Sequence, residues 1–104
     1  MKIKGFVVLA IGILMLSAVP ILAAEDPTFK AKCAACHGPD GAGQTTMGKN
    51  LHIPNLGSAD VQKLTDAELK NIIEKGKGKM PAYGGKLTAD QEKGILAFIR
   101  SLKK

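Results

Sequence analysis

The sequence predicts an all-α domain with long loops, preceded by a separate apolar leader. Three features carry that prediction: two capping boxes that each open an amphipathic stretch, the lack of any run alternating apolar and polar residues, and a twenty-residue segment rich in glycine and proline with no period at all. The 104 residues suit one small domain rather than two.

The leader comes first. Residues 1–24 hold 18 of the 47 apolar residues, and the remaining 80 hold 29. Lys2 and Lys4 precede an apolar run from Phe6 to Leu16, which breaks at Pro20 ahead of Ala23-Ala24-Glu25. This is the pattern of a secretory signal peptide over residues 1–24. The alternative is an uncleaved membrane anchor, because Gly5 to Ala24 is uncharged and close to the roughly 20 residues that a spanning helix needs. Pro20 and the small pair Ala23-Ala24 favour cleavage, although Leu22 fits the cleavage pattern imperfectly, and no Cys follows the run to carry a lipid. The exported domain, residues 25–104, carries 13 Lys+Arg against nine Asp+Glu, a net +4. Its aromatic side chains are Phe29, Tyr83 and Phe98, few for building a core, so a staple such as a disulfide, metal or large prosthetic group is expected.

Asp26-Pro27-Thr28 puts a capping side chain before a proline at the first helical position, predicting a helix from about 27 to 36. From Gly38 to Gly57 the glycines and prolines favour turns, and an irregular loop of that length needs something to wrap around. Ser58 to Leu64 suits a short helix. Thr65-Asp66-Ala67-Glu68 is a capping box, Leu69, Ile72 and Ile73 share one face, and Gly76 can end the helix. Thr88-Ala89-Asp90-Gln91 opens a last helix with Ile95, Phe98, Ile99 and Leu102 at i, i+3, i+4, i+7 spacing.

Cys33-Ala34-Ala35-Cys36-His37 is the most informative segment. On a helix the two thiols lie on one face, within reach of both vinyl groups of a single haem, while His37 presents its imidazole to the iron. The competing readings fare less well. A disulfide at this spacing constrains little, a redox dithiol expects a strand-helix context, and a zinc cage needs more Cys or His than His52 supplies. For the second iron ligand the candidates are Met80, Met47 and His52. Met80 is the expected one, since it stands alone in a glycine- and lysine-rich loop, Gly76 to Gly85, that can fold over the haem face opposite His37.

These features together resemble the class I c-type cytochromes: a helix running into Cys33-Ala34-Ala35-Cys36-His37-Gly38, a Met80-Pro81 loop, and a final amphipathic helix. The resemblance implies three to four helices wrapped around one covalent haem c with its iron. It implies thioethers at Cys33 and Cys36, His37 as proximal and Met80 as distal axial ligand. Ile53-Pro54-Asn55-Leu56 is similar to the family's Gly-Pro-Asn-Leu stretch, so the Pro54 carbonyl would accept a hydrogen bond from the proximal His, with Ile53 in place of the glycine. It further implies a crossing of the first and last helices, with Phe29, Gly94 and Phe98 as candidates.

Met-His ligation fills both axial positions, and the soft thioether favours ferrous iron, so the expected activity is single-electron carriage rather than catalysis on a substrate. The chain has no nucleotide motif and no Ser-His-acid arrangement. The rivals are a haem peroxidase or small-gas sensor with a labile Met ligand, and a zinc or thiol-redox module. Lys75, Lys77, Lys79 and Lys86 bracket the Met80 loop and Lys32 precedes the haem motif; they are ordinary solvated lysines or a positive ring that steers docking to acidic redox proteins. Nucleic acid is not an expected partner at +4. The expected form is a periplasmic monomer, on a membrane only if the leader stays uncleaved.

Overall fold

The computed structural model describes residues 26–104, so the leader read over residues 1–24 lies outside them. Six helices follow in order: α1 (Pro27–Lys32), α2 (Ala34–His37), α3 (Thr46–Asn50), α4 (Ala59–Gln62), α5 (Asp66–Lys75) and α6 (Ala89–Ser101). Among the described residues there is no strand, only one bridge between Lys77 and Met80. The fold is all-α, with six helices instead of three to four.

The long helices start where their capping boxes put them. Thr65 Oγ1 accepts the Glu68 N–H at 3.1 Å, and the Glu68 carboxylate accepts the Thr65 N–H at 3.1 Å. Thr88 and Gln91 repeat the exchange at 3.1 and 2.9 Å. Each box satisfies two N–H groups that the first turn would leave unpaired.

Two short elements depart from the expectation. The helix expected over 27–36 breaks at Cys33 (φ −114°, ψ −31°): its N–H closes α1 on the Phe29 carbonyl, and its own carbonyl accepts from both Cys36 and His37 to start α2. Inside the long loop, Thr45 caps α3 by accepting the Gly48 N–H at 2.8 Å.

The core is Phe29, Leu56, Val61, Leu69, Ile73, Ile95, Phe98 and Ile99. Where α1 meets α6, the rings of Phe29 and Phe98 lie 4.6 Å apart at 46°, a tilted pair worth about 0.5–1.5 kcal/mol beyond its burial. Gly94 makes room for the cap of α1, since a Cβ there would stand 2.5 Å from Asp26 Oδ1, while Asp26 Oδ2 accepts the Phe29 N–H at 2.8 Å. Phe29 and Phe98 therefore meet at the crossing, while Gly94 faces Asp26 rather than an aromatic ring. At its other end α6 is tied down by Gln62, whose Nε2 donates to the Leu56 and Ile99 carbonyls at 2.8 Å each. Arg100 spans Asp66, the Gln62 carbonyl and the Leu64 carbonyl.

Glu92 is the one buried charged residue among those described, with Lys70 Nζ 3.8 Å from its carboxylate. Burial, then the neighbouring Glu74 carboxyl, holds the Glu92 pKa above its ordinary value against the opposing pull of Lys70. A raised folded pKa means that its contribution is full below the unfolded value and is lost as pH rises through the folded one. Glu92→Gln should therefore raise the melting temperature near neutral pH and not below the carboxylate range. Thermal melts at both pH values check this, and an equal gain at both would assign the effect to packing.

Candidate functional site

The segment Cys33 to His37 is held at both ends by the backbone around it. Gly43 N–H donates to the His37 carbonyl at 2.8 Å, and Thr45 Oγ1 donates to the Cys36 carbonyl at 2.7 Å. Gly48 on α3 lies against the same strip, where a Cβ would meet the Gly43 carbonyl at 2.5 Å and the Cys36 carbonyl at 2.6 Å. The loop from Gly38 to Gly57 thus wraps the Cys-His segment itself. Thr45 and Gly48 are site-shaping residues that the sequence reading missed; Thr45 was legible as a helix cap, Gly48 was not.

Cys33 and Cys36 are free thiols, both half-buried. Burial, with smaller contributions from the Asp26 and Cys36 charges and against the pull of Lys32, pushes the Cys33 thiol up to about 11. A redox nucleophile needs the opposite shift, so Cys33 is not poised as one. Among the described residues no three His, Cys, Asp or Glu side chains gather as a zinc cage requires.

His37 sits with its ring 6.2 Å from that of Phe29, and burial lowers its pKa, favouring the neutral imidazole that can ligate a metal. Its Nδ1 is buried and has no hydrogen-bond partner. The bond expected to the Pro54 carbonyl is therefore not formed in this structure. That carbonyl lies near Gly43, where a Cβ would be 3.4 Å from it, and Pro54 itself is exposed. A buried orphan nitrogen costs on the order of 1–3 kcal/mol, which a protein tolerates at a site with another use for the ring.

Met80 is half-buried and packs against the core cluster, as do Cys33 and Tyr83. It closes a tight turn, Lys77 to Met80, with reciprocal backbone bonds of 3.2 and 3.0 Å and Gly78 at φ +58° in the first central position, as a type II′ turn requires. Gly76 (φ +76°) leaves room for the returning chain, since a Cβ there would be 2.5 Å from the Met80 carbonyl. The other two ligand candidates lie elsewhere: Met47 is 50% exposed on α3, and His52 is exposed in a left-handed conformation (φ 55°). Lys32, Lys75, Lys77, Lys79 and Lys86 are all exposed.

The donor set fits a covalent haem: two thiols, a neutral imidazole with one nitrogen turned into the protein, and a thioether on a loop packed against the same core. Comparison with known proteins agrees. Residues 23–99 match the family described as cytochrome C oxidase, cbb3-type, subunit III. The chain is 36% identical over 77 residues to the cytochrome c6 of Leptolyngbya boryana, covering 74% of this chain and 87% of that protein. Among solved structures it is similar to the KustC0563 c-type cytochrome, with a TM-score of 0.69, 28% identity, and 77% of this chain and 98% of that one covered. It is also similar to the c-type cytochrome XoxG of Methylobacterium extorquens AM1, with a TM-score of 0.59 at 28% identity, covering 75% of this chain and 47% of that one.

Proposed function

The chain belongs to the c-type cytochromes, a small electron carrier holding haem c covalently, and on that footing we propose that it works in the periplasm, passing single electrons between larger redox proteins. The observation that carries this reading is the buried, unpaired His37 Nδ1 beside two free, half-buried thiols. Once bound, the haem supplies exchange of one electron between Fe(III) and Fe(II). Cys33 and Cys36 would hold it through thioethers and His37 would ligate the iron, its buried Nδ1 being without a protein partner here. Met80 would supply the second iron ligand, and a thioether together with an imidazole would suit a carrier rather than a peroxidase or gas sensor. Among the described residues no helix is long and apolar enough to cross a membrane. Residues 1–24 act as the signal peptide and residues 25–104 as the cytochrome domain.

The mass of the purified exported protein tests attachment. It should equal the chain from Glu25 plus one haem, with no titratable thiol. A disulfide-bonded chain without haem, from cells able to attach it, would overturn the reading.

Lys75, Lys77, Lys79 and Lys86 form the steering surface for an acidic redox partner. Their field is felt over about 30 Å at 0.01 M salt and about 10 Å at 0.1 M, so the electron-transfer on-rate should fall across that range. Reversing two of these charges should slow association without moving the absorption spectrum, and reversing Lys103 and Lys104 should not. Equal slowing by both pairs would show that net charge alone sets the rate.

A further inference from the structure

The loop from Gly76 to Leu87 is bonded almost wholly to itself and to α5. Gly76 N–H donates to Ile72, Tyr83 N–H to Ile73 and Gly84 N–H to Glu74, at 2.8, 2.9 and 2.9 Å, and the Lys77–Met80 turn is closed internally. None of these bonds reaches α1 or α2, although Met80, Tyr83 and Leu87 pack on the core that includes Phe29 of α1. Among the described residues one hydrogen bond joins it to that side: Tyr83 Oη donates to the Lys32 carbonyl at 3.1 Å. That carbonyl belongs to the last turn of α1, where helix carbonyls lack partners within the helix, and the peptide unit leads directly to Cys33. The bond thus connects a residue three positions from Met80 to the residue preceding the first haem-attachment cysteine.

We infer that Tyr83 is the latch of the distal loop: its hydroxyl holds the Met80 segment against the haem-attachment helix and so sets how often Met80 leaves the iron. This rests on Met80 being the distal ligand. Tyr83 is a positioning residue, acting through Met80. The donor suits the task, because burial pushes its pKa up and keeps the phenol protonated beyond neutral pH. A phenylalanine there would keep the ring's packing against the core and lose only the bond to Lys32.

The test is imidazole binding to the ferric holoprotein, followed by the Soret band, since imidazole binds only while Met80 is off. Tyr83→Phe should bind imidazole about two- to tenfold more tightly, the range expected for losing one net hydrogen bond. Arg100→Gln loosens α6 at its far end and should melt earlier with imidazole affinity unchanged. Wild-type affinity in Tyr83→Phe would overturn the latch, and so would an equal gain in Arg100→Gln, which would trace the effect to global stability. Met80→Ala in the same titration separates the two readings. If it binds imidazole no better than wild type, the ligand assignment fails and the latch with it; if it binds tightly while Tyr83→Phe does not differ from wild type, only the latch fails.

Discussion

Replacing Met80 by alanine should open one axial position of the iron and leave the fold standing. The side chain is half-buried at the edge of the core, so its truncation should cost less than the roughly 2–5 kcal/mol of a fully buried Met→Ala change. The effect at the iron should be far larger. Ferrous protein should bind carbon monoxide, the visible spectrum should acquire high-spin features, and the potential should fall by on the order of 0.1 V or more, given that axial ligands tune haem over about 0.8 V. Carbon monoxide difference spectra and a redox titration measure both. If Met80→Ala keeps the parent spectrum while Met47→Ala or His52→Ala changes it, the distal ligand is one of those.

Loss of haem should unfold the domain. Among the described residues eight hydrophobic side chains form the buried core, only two of them aromatic. Domains of roughly 80 residues rarely gain more than about 3–5 kcal/mol from such a core alone. The loop from Gly38 to Gly57 is tied to the Cys-His segment by the Gly43 N–H to the His37 carbonyl and the Thr45 hydroxyl to the Cys36 carbonyl, the segment on which a bound haem would act. Chain produced in the cytoplasm, or the double variant Cys33→Ala/Cys36→Ala, should show low helicity and no cooperative melt by circular dichroism. A cooperative melt close to that of the holoprotein would mean that the protein core suffices.

The parts of this fold legible in the sequence are those set by neighbours in the chain. Thr65 with Glu68 and Thr88 with Gln91 are reciprocal bonds over three residues, so their residue types announce α5 and α6 directly. Cys33, Cys36 and His37 form a local pattern of the same kind, read directly from their spacing. What stayed hidden depends on distant partners. Thr46 to Asn50 has weak helical propensity and includes Gly48, and it forms α3 where that glycine fits against the Cys36 and Gly43 carbonyls. The break at Cys33 has no local signal either: Phe29 to Cys36 reads as one continuous helix. Tyr83 was visible only as a scarce aromatic, since its partner is a carbonyl on α1. The Pro54 carbonyl came from family resemblance alone, and the structure leaves His37 Nδ1 without that bond.

The pairing of Phe29 with Phe98 bears on how the protein is made. A ribosome releases α1 long before α6 exists, and the facing surface of the first helix stays uncovered until the last one is finished. Translation stopped anywhere before Ala89 yields a fragment whose Phe29 lacks its aromatic neighbour and whose Asp26 has no Gly94 to rest on. The crossing therefore closes only in a chain that carries α6, the thirteen residues Ala89–Ser101.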